Sequence, residues 1–150
     1  MRSAILILLF IPALASGQFW ENNKKSFAIL GVQMASITLD AAGDALYDIG
    51  KQEGSSSKQS WGHTLQATAV GVNVLLLPMI DWKRPVNDGI WMAVSYVSLR
   101  YAMFDMTYNA VRGWDLLYAD GIKAEMLPGG RAFTQSIAFG FSIAIFFKEF

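Results

Sequence analysis

Hydrophobic positions gather into long runs separated by short polar links. After an amino-terminal run at 4–15, four further segments have helical length: near 26–47, 62–80, 88–112 and 132–147. Two of them, 64–80 and 132–147, contain no charged side chain. A helix on the surface of a water-soluble domain needs a broad charged face, and these two have none. The pattern therefore predicts an all-α fold, a polytopic membrane helix bundle with four transmembrane helices.

The first run has another character. Arg2 precedes the 12-residue stretch Ala4–Ala15, with small residues at Ala13 and Ala15 and then Ser16-Gly17-Gln18. This is short for a span and has the form of a secretory signal peptide. Residues 1–17 are thus expected to be a signal peptide, or else an extra anchor helix, and 18–150 a single membrane domain.

The links have turn chemistry. Gly54-Ser55-Ser56-Ser57 is a flexible polar link, and Asp81-Trp82-Lys83-Arg84-Pro85 is a tight turn. Asn87 is expected to cap a helix beginning at Asp88. The segment from Trp114 to Arg131 is the longest link, ending in Pro128-Gly129-Gly130. Trp20, Trp61, Trp82, Trp91 and Trp114 fall near proposed helix ends, as in an aromatic belt. The pairs Gly31/Ala35, Ala67/Gly71 and Ala138/Ser142 have the small-x3-small spacing of closely packed membrane helices.

Composition agrees with this picture. Hydrophobic residues are 53% and charged residues 16% of the 150, against roughly 25% charged in soluble domains. Lys+Arg and Asp+Glu are 12 each, so there is no basic excess for nucleic acid. Cysteine is absent, which excludes disulfides and thiolate metal sites. Charge does not orient the bundle. With the amino terminus inside, Arg2, Lys51, Lys58, Arg112, Lys123 and Arg131 share one side, and Lys24, Lys25, Lys83, Arg84 and Lys148 the other. A cleaved signal would place the new amino terminus outside the cell (inner) membrane.

Polar residues inside the segments are costly and therefore informative. Gln33, Ser36, Asp40, Asp44 and Asp48 recur every three or four residues and share one helical stripe. His63, Gln66 and Asn73 share a face of the second segment. On the third, Tyr101, Asp105, Tyr108 and Arg112 line up, with Asn109 at the edge and Arg100 away from them near mid-span. Arginine does not deprotonate, so Arg100 should meet Asp40 or Asp44. Asp105 and Arg112 could join through Tyr108 or Asn109. The expectation is a buried polar network of Asp40, Asp44, Arg100, Asp105, Asn109 and Arg112.

Chemistry is less legible. The carboxylates at 40, 44 and 48 have few possible co-ligands, and one His without Cys argues against zinc. No metal and no cofactor is therefore expected. Gly62-His63 and Arg84-Pro85 stand in the reverse order to the phosphatidic-acid-phosphatase pattern, which also needs a second His. The first functional expectation is a non-catalytic subunit or self-associating membrane component, with the bilayer and a homo-oligomer or larger complex as partners. The second is a small transporter, channel or pore former using the intramembrane Asp and Arg residues. The third is a membrane enzyme acting on a lipid, with His63, Asp44 and Asp105 as acid–base candidates.

Overall fold

The computed structural model describes residues 23–116, 118 and 130–149. The expected leader at 1–17 and most of the link after Trp114 lie outside them. The described residues are helical, with four α-helices and no strand. They are α1 (Lys24–Glu53), α2 (Ser56–Asn73), α3 (Pro85–Arg112) and α4 (Gly130–Glu149). A short 3₁₀ helix, Val74–Met79, continues α2. α1 is the one described helix that is long and apolar enough to cross a membrane, and Phe133–Phe146 is a shorter apolar stretch.

Local chemistry sets the ends. α1 stops at Gly54, whose φ of 69° is left-handed and suits a residue without Cβ. Ser55 then starts α2, accepting from the Lys58 N–H at 3.4 Å. The second helix consequently begins at Ser56, six residues before the position the hydrophobic run suggested. It also ends earlier as an α-helix, at Asn73. Pro78 has no N–H to continue the α ladder, so Val74–Met79 tightens into 3₁₀ geometry. α3 starts with Pro85 at its first position and Arg84 as its cap. Asn87 therefore lies inside the first turn and is not the cap. Gly113, with φ of 70°, ends α3.

α1 is central. It packs against α2 on one side and α3 on the other, and α4 packs on α3. α1 and α3 run parallel in a fixed register. The hydrogen bonds joining them connect residues 59 to 63 positions apart, from Lys25–Asp88 at one end to Gln52–Arg112 at the other. α2 runs antiparallel against α1 through two stripes of small residues. Ser36, Gly43 and Gly50 recur every seven residues on α1, and Ser55, Gly62 and Ala69 on α2. Seven residues are close to two turns, so each set lies on one face. Ser36 Oγ donates to the Ala69 carbonyl at 3.0 Å. A Cβ on Gly43 would lie 2.7 Å from the Gly62 carbonyl oxygen, and one on Gly50 2.7 Å from the Gln59 nitrogen. The backbones themselves are in contact.

The anticipated small-residue pairs behave differently. Gly31, Ala35, Ala67 and Gly71 are exposed, and a Cβ on Gly31 or Gly71 would meet nothing. Ser142 of the third pair reaches another helix, donating to the Ser95 carbonyl at 3.2 Å or to the Ala138 carbonyl of its own at 3.0 Å.

Ile29, Ile37, Met92, Leu99 and Phe146 form the apolar core. Beside it sit fully buried polar residues bonded across the helices. Ser26 Oγ donates to the Phe146 carbonyl at 3.0 Å, and Gln33 Nε2 to the Met92 carbonyl at 2.9 Å. Ser95 Oγ lies 3.1 Å from Gln33 Oε1.

Candidate functional site

α2 and α3 lean on opposite sides of α1 without substantial contact with each other. A groove therefore runs along α1 between them, and it is polar over most of its length. Its floor is the stripe Gln33, Asp40, Asp44 and Asp48. Gln66 and Asn73 come from α2, and Tyr96, Arg100, Tyr108 and Arg112 from α3.

At the upper end is a cleft of about 190 Å³ lined by Gln33, Asn73, Leu76, Met92, Ala93 and Tyr96. The Asn73 Oδ1 is buried and accepts no hydrogen bond. In the middle, Arg100 donates to Asp40 and forms an ion pair with it. The Arg100 guanidinium also lies 4.1 Å above the Phe104 ring centre. This pair is half-buried, the side chains being 39% and 25% exposed, where the sequence suggested full burial. The reason is that α3 turns Arg100 toward the open groove, and only its length brings it back to α1.

Asp44 makes a different contact. It accepts from Gln66 Nε2. Gln66 Oε1 lies 3.3 Å from Nδ1 of His63, whose ring packs at 4.8 Å from that of Tyr47. With its amide nitrogen spent on Asp44, Gln66 offers His63 only an acceptor. Neutral His63 therefore carries its proton on Nδ1 and leaves Nε2 as a lone pair. His63 itself is exposed.

The lower end is a second cluster. Tyr108 donates to Asp48 Oδ2 at 2.5 Å and accepts from Arg112 Nη1 at 2.7 Å. Arg112 is 3.6 Å from Asp48, donates to Gln52 Oε1 at 2.9 Å, and lies 4.2 Å over Trp114. Tyr108 thus ties Arg112 to Asp48 on α1 and not to Asp105 on its own helix. Asp105 lies instead on the outer face of α3, in a shallow groove with Arg100. Asn109 is buried, but its amide donates to the Leu116 and Tyr118 carbonyls at 3.2 and 2.8 Å. It fastens the chain leaving α3 and stands apart from the groove.

Of the residues picked from sequence, the fold therefore joins Asp40 with Arg100, and Arg112 with Asp48. Asp44 and His63 are linked through Gln66, and Asp105 and Asn109 lie elsewhere. Gln52, Ser95 and Tyr96 were missed. A seven-residue spacing, Asp88, Ser95, Ala102 and Asn109, was the available signal for the inner face of α3. Three carboxylates and two guanidinium groups leave the groove with an excess of one negative charge. Among the described residues no group of three His, Cys, Asp or Glu is placed to hold a metal ion. Comparison with family models, curated proteins and solved structures gives no significant match.

Proposed function

We propose that this chain is a multi-pass membrane protein acting as a non-catalytic component that associates with itself or with a larger membrane complex. The observation that carries the reading is inverted polarity. Ser26, Gln33, Ser36, Ser95 and Ser142 are buried, while Val70, Leu75, Ile90, Val97, Ile137 and Phe141 are more than half exposed. Water would favour the opposite arrangement, and contiguous exposed apolar surface marks a membrane or a partner.

The exposed apolar belt has a definite height. In the register of α3 it runs from Val86 to the level of Phe104. The 18 steps from residue 86 to residue 104, at 1.5 Å each, make about 27 Å, close to the hydrocarbon thickness of a bilayer. Exposed Trp82 lies at its upper edge and exposed Trp61 at its lower edge. Below it, the ends of α1 and α2 expose Lys51, Gln52, Glu53 and Ser60. Several helices of such a bundle dilute their hydropathy with inward polar side chains, which is why few of them read as spans singly.

A non-catalytic role is supported by the groove, whose charged groups are spent largely on one another. The test is fractionation with alkaline carbonate. A bilayer-embedded protein stays in the pellet, and release into the supernatant would remove the reading. The excess negative charge of the groove favours a second reading, cation passage. Flux into liposomes that falls in Asp44→Asn would support it over the first.

A further inference from the structure

We propose that the upper cleft, between α1, α3 and the end of α2, binds a hydroxyl-bearing aromatic ring, the chemistry of a phenol dissolved in the bilayer. This goes beyond the membrane reading above and rests on it. The cleft has a volume of about 190 Å³. A cavity of roughly 150 Å³ holds a benzene molecule, so one ring is the right size. Its apolar wall is made by Leu76, Met92, Ala93 and Tyr96. A thioether and an aromatic side chain are favourable neighbours for an aromatic guest.

The polar atoms of the cleft decide what the ring must carry. Gln33 is already engaged, its Nε2 donating to the Met92 carbonyl and its Oε1 accepting from Ser95. The Tyr96 hydroxyl interacts with Arg100. Asn73 Oδ1 is buried and accepts no hydrogen bond from the described residues. A donor brought by an occupant removes the cost of that orphaned acceptor. Depth says where the donor comes from. Met92 lies six residues below Val86 at the top of the belt, about 9 Å at 1.5 Å each. Since α2 and α3 lean apart, the cleft opens sideways between them, toward hydrocarbon. Hydrocarbon itself offers no donor. A molecule that dissolves there and carries one hydroxyl both fills the cleft and reaches Asn73.

The probes are p-cresol and toluene, which differ by the hydroxyl. The purified protein is reconstituted into phosphatidylcholine vesicles, and binding of each labelled probe is measured by equilibrium dialysis against protein-free vesicles. Partitioning into lipid is thereby subtracted. Asn73→Leu, a change of similar size, should weaken p-cresol binding roughly fivefold, the worth of one hydrogen bond, and leave toluene within about twofold. Ala93→Phe, which adds a ring at the exposed edge of the cleft, should abolish binding of both. Equal effects of Asn73→Leu on the two probes would mean that water or nothing serves Oδ1, and would overturn the proposal. Binding that survives Ala93→Phe would place the probes elsewhere and overturn it too. Either result stands even where carbonate extraction leaves the protein in the membrane, whereas release by carbonate removes the membrane reading itself.

Discussion

At the scale of single residues, Arg100 is the most constrained. Asp40 and Asp44 are one turn apart, and charge alone does not choose between them. The parallel register of α1 and α3 does, because it sets residue 40 opposite residue 100. Arg100→Leu therefore strands Asp40 and should cost about 1–3 kcal/mol, below the 3–5 typical of fully buried pairs because this one is half-exposed. Arg100→Leu with Asp40→Leu should recover most of that loss. Thermal unfolding in detergent reads both, and a double variant no more stable than the single one would contradict the pairing. Asn73 makes the opposite case. Its buried Oδ1 accepts nothing, and an orphaned acceptor costs roughly 1–3 kcal/mol. Asn73→Leu should thus leave the melting temperature unchanged or raise it. A marked fall would mean that the upper cleft holds a donor.

Among elements, the α1–α2 contact is the tightest and was the least legible. Small residues four apart attract notice, and Gly31/Ala35 and Ala67/Gly71 fit that spacing. They lie on open faces. The working set is spaced by seven, Ser36-Gly43-Gly50 against Ser55-Gly62-Ala69, and its two halves sit on different helices. A spacing of seven among small residues stands out only once the partner stripe is known. The polar stripe of α1 was readable, because a costly residue repeated every turn has few explanations. Where each carboxylate goes was not, since that follows from register and from which helices fail to touch. Gly43→Ala and Gly71→Ala separate the two kinds of glycine. The first puts a methyl 2.7 Å from backbone oxygen and must push α2 away from α1; overpacking of this kind typically costs about 1–3 kcal/mol. The second meets nothing and should gain up to about 1 kcal/mol of helix propensity. Melting temperatures of the two variants should move in opposite directions.

For the whole molecule, the distribution of polarity matters more than any one hydrophobic run. α3 reads as a mixed helix because Asp88, Ser95 and Asn109 occupy its inner face while Val86, Ile90 and Val97 occupy its outer one. The same inversion predicts where a charge is tolerated. Ile137 on α4 is exposed and lies at the level of Arg100, within the apolar belt. Exposure alone would make Ile137→Arg harmless in a water-soluble bundle, where surface substitutions stay within about 0.5 kcal/mol. In a bilayer a charge near the centre of a helix costs about 2.5–3.5 kcal/mol on insertion scales, less where the side chain can extend to the headgroups. Ser60→Arg is the control, being also exposed but in the polar foot of α2. Measured as the carbonate-resistant fraction, Ile137→Arg should fall several-fold below the parent protein while Ser60→Arg stays level with it. Equal resistance of both variants would mean that the apolar belt faces protein and not lipid, and the bundle would then be held in the membrane by its partners.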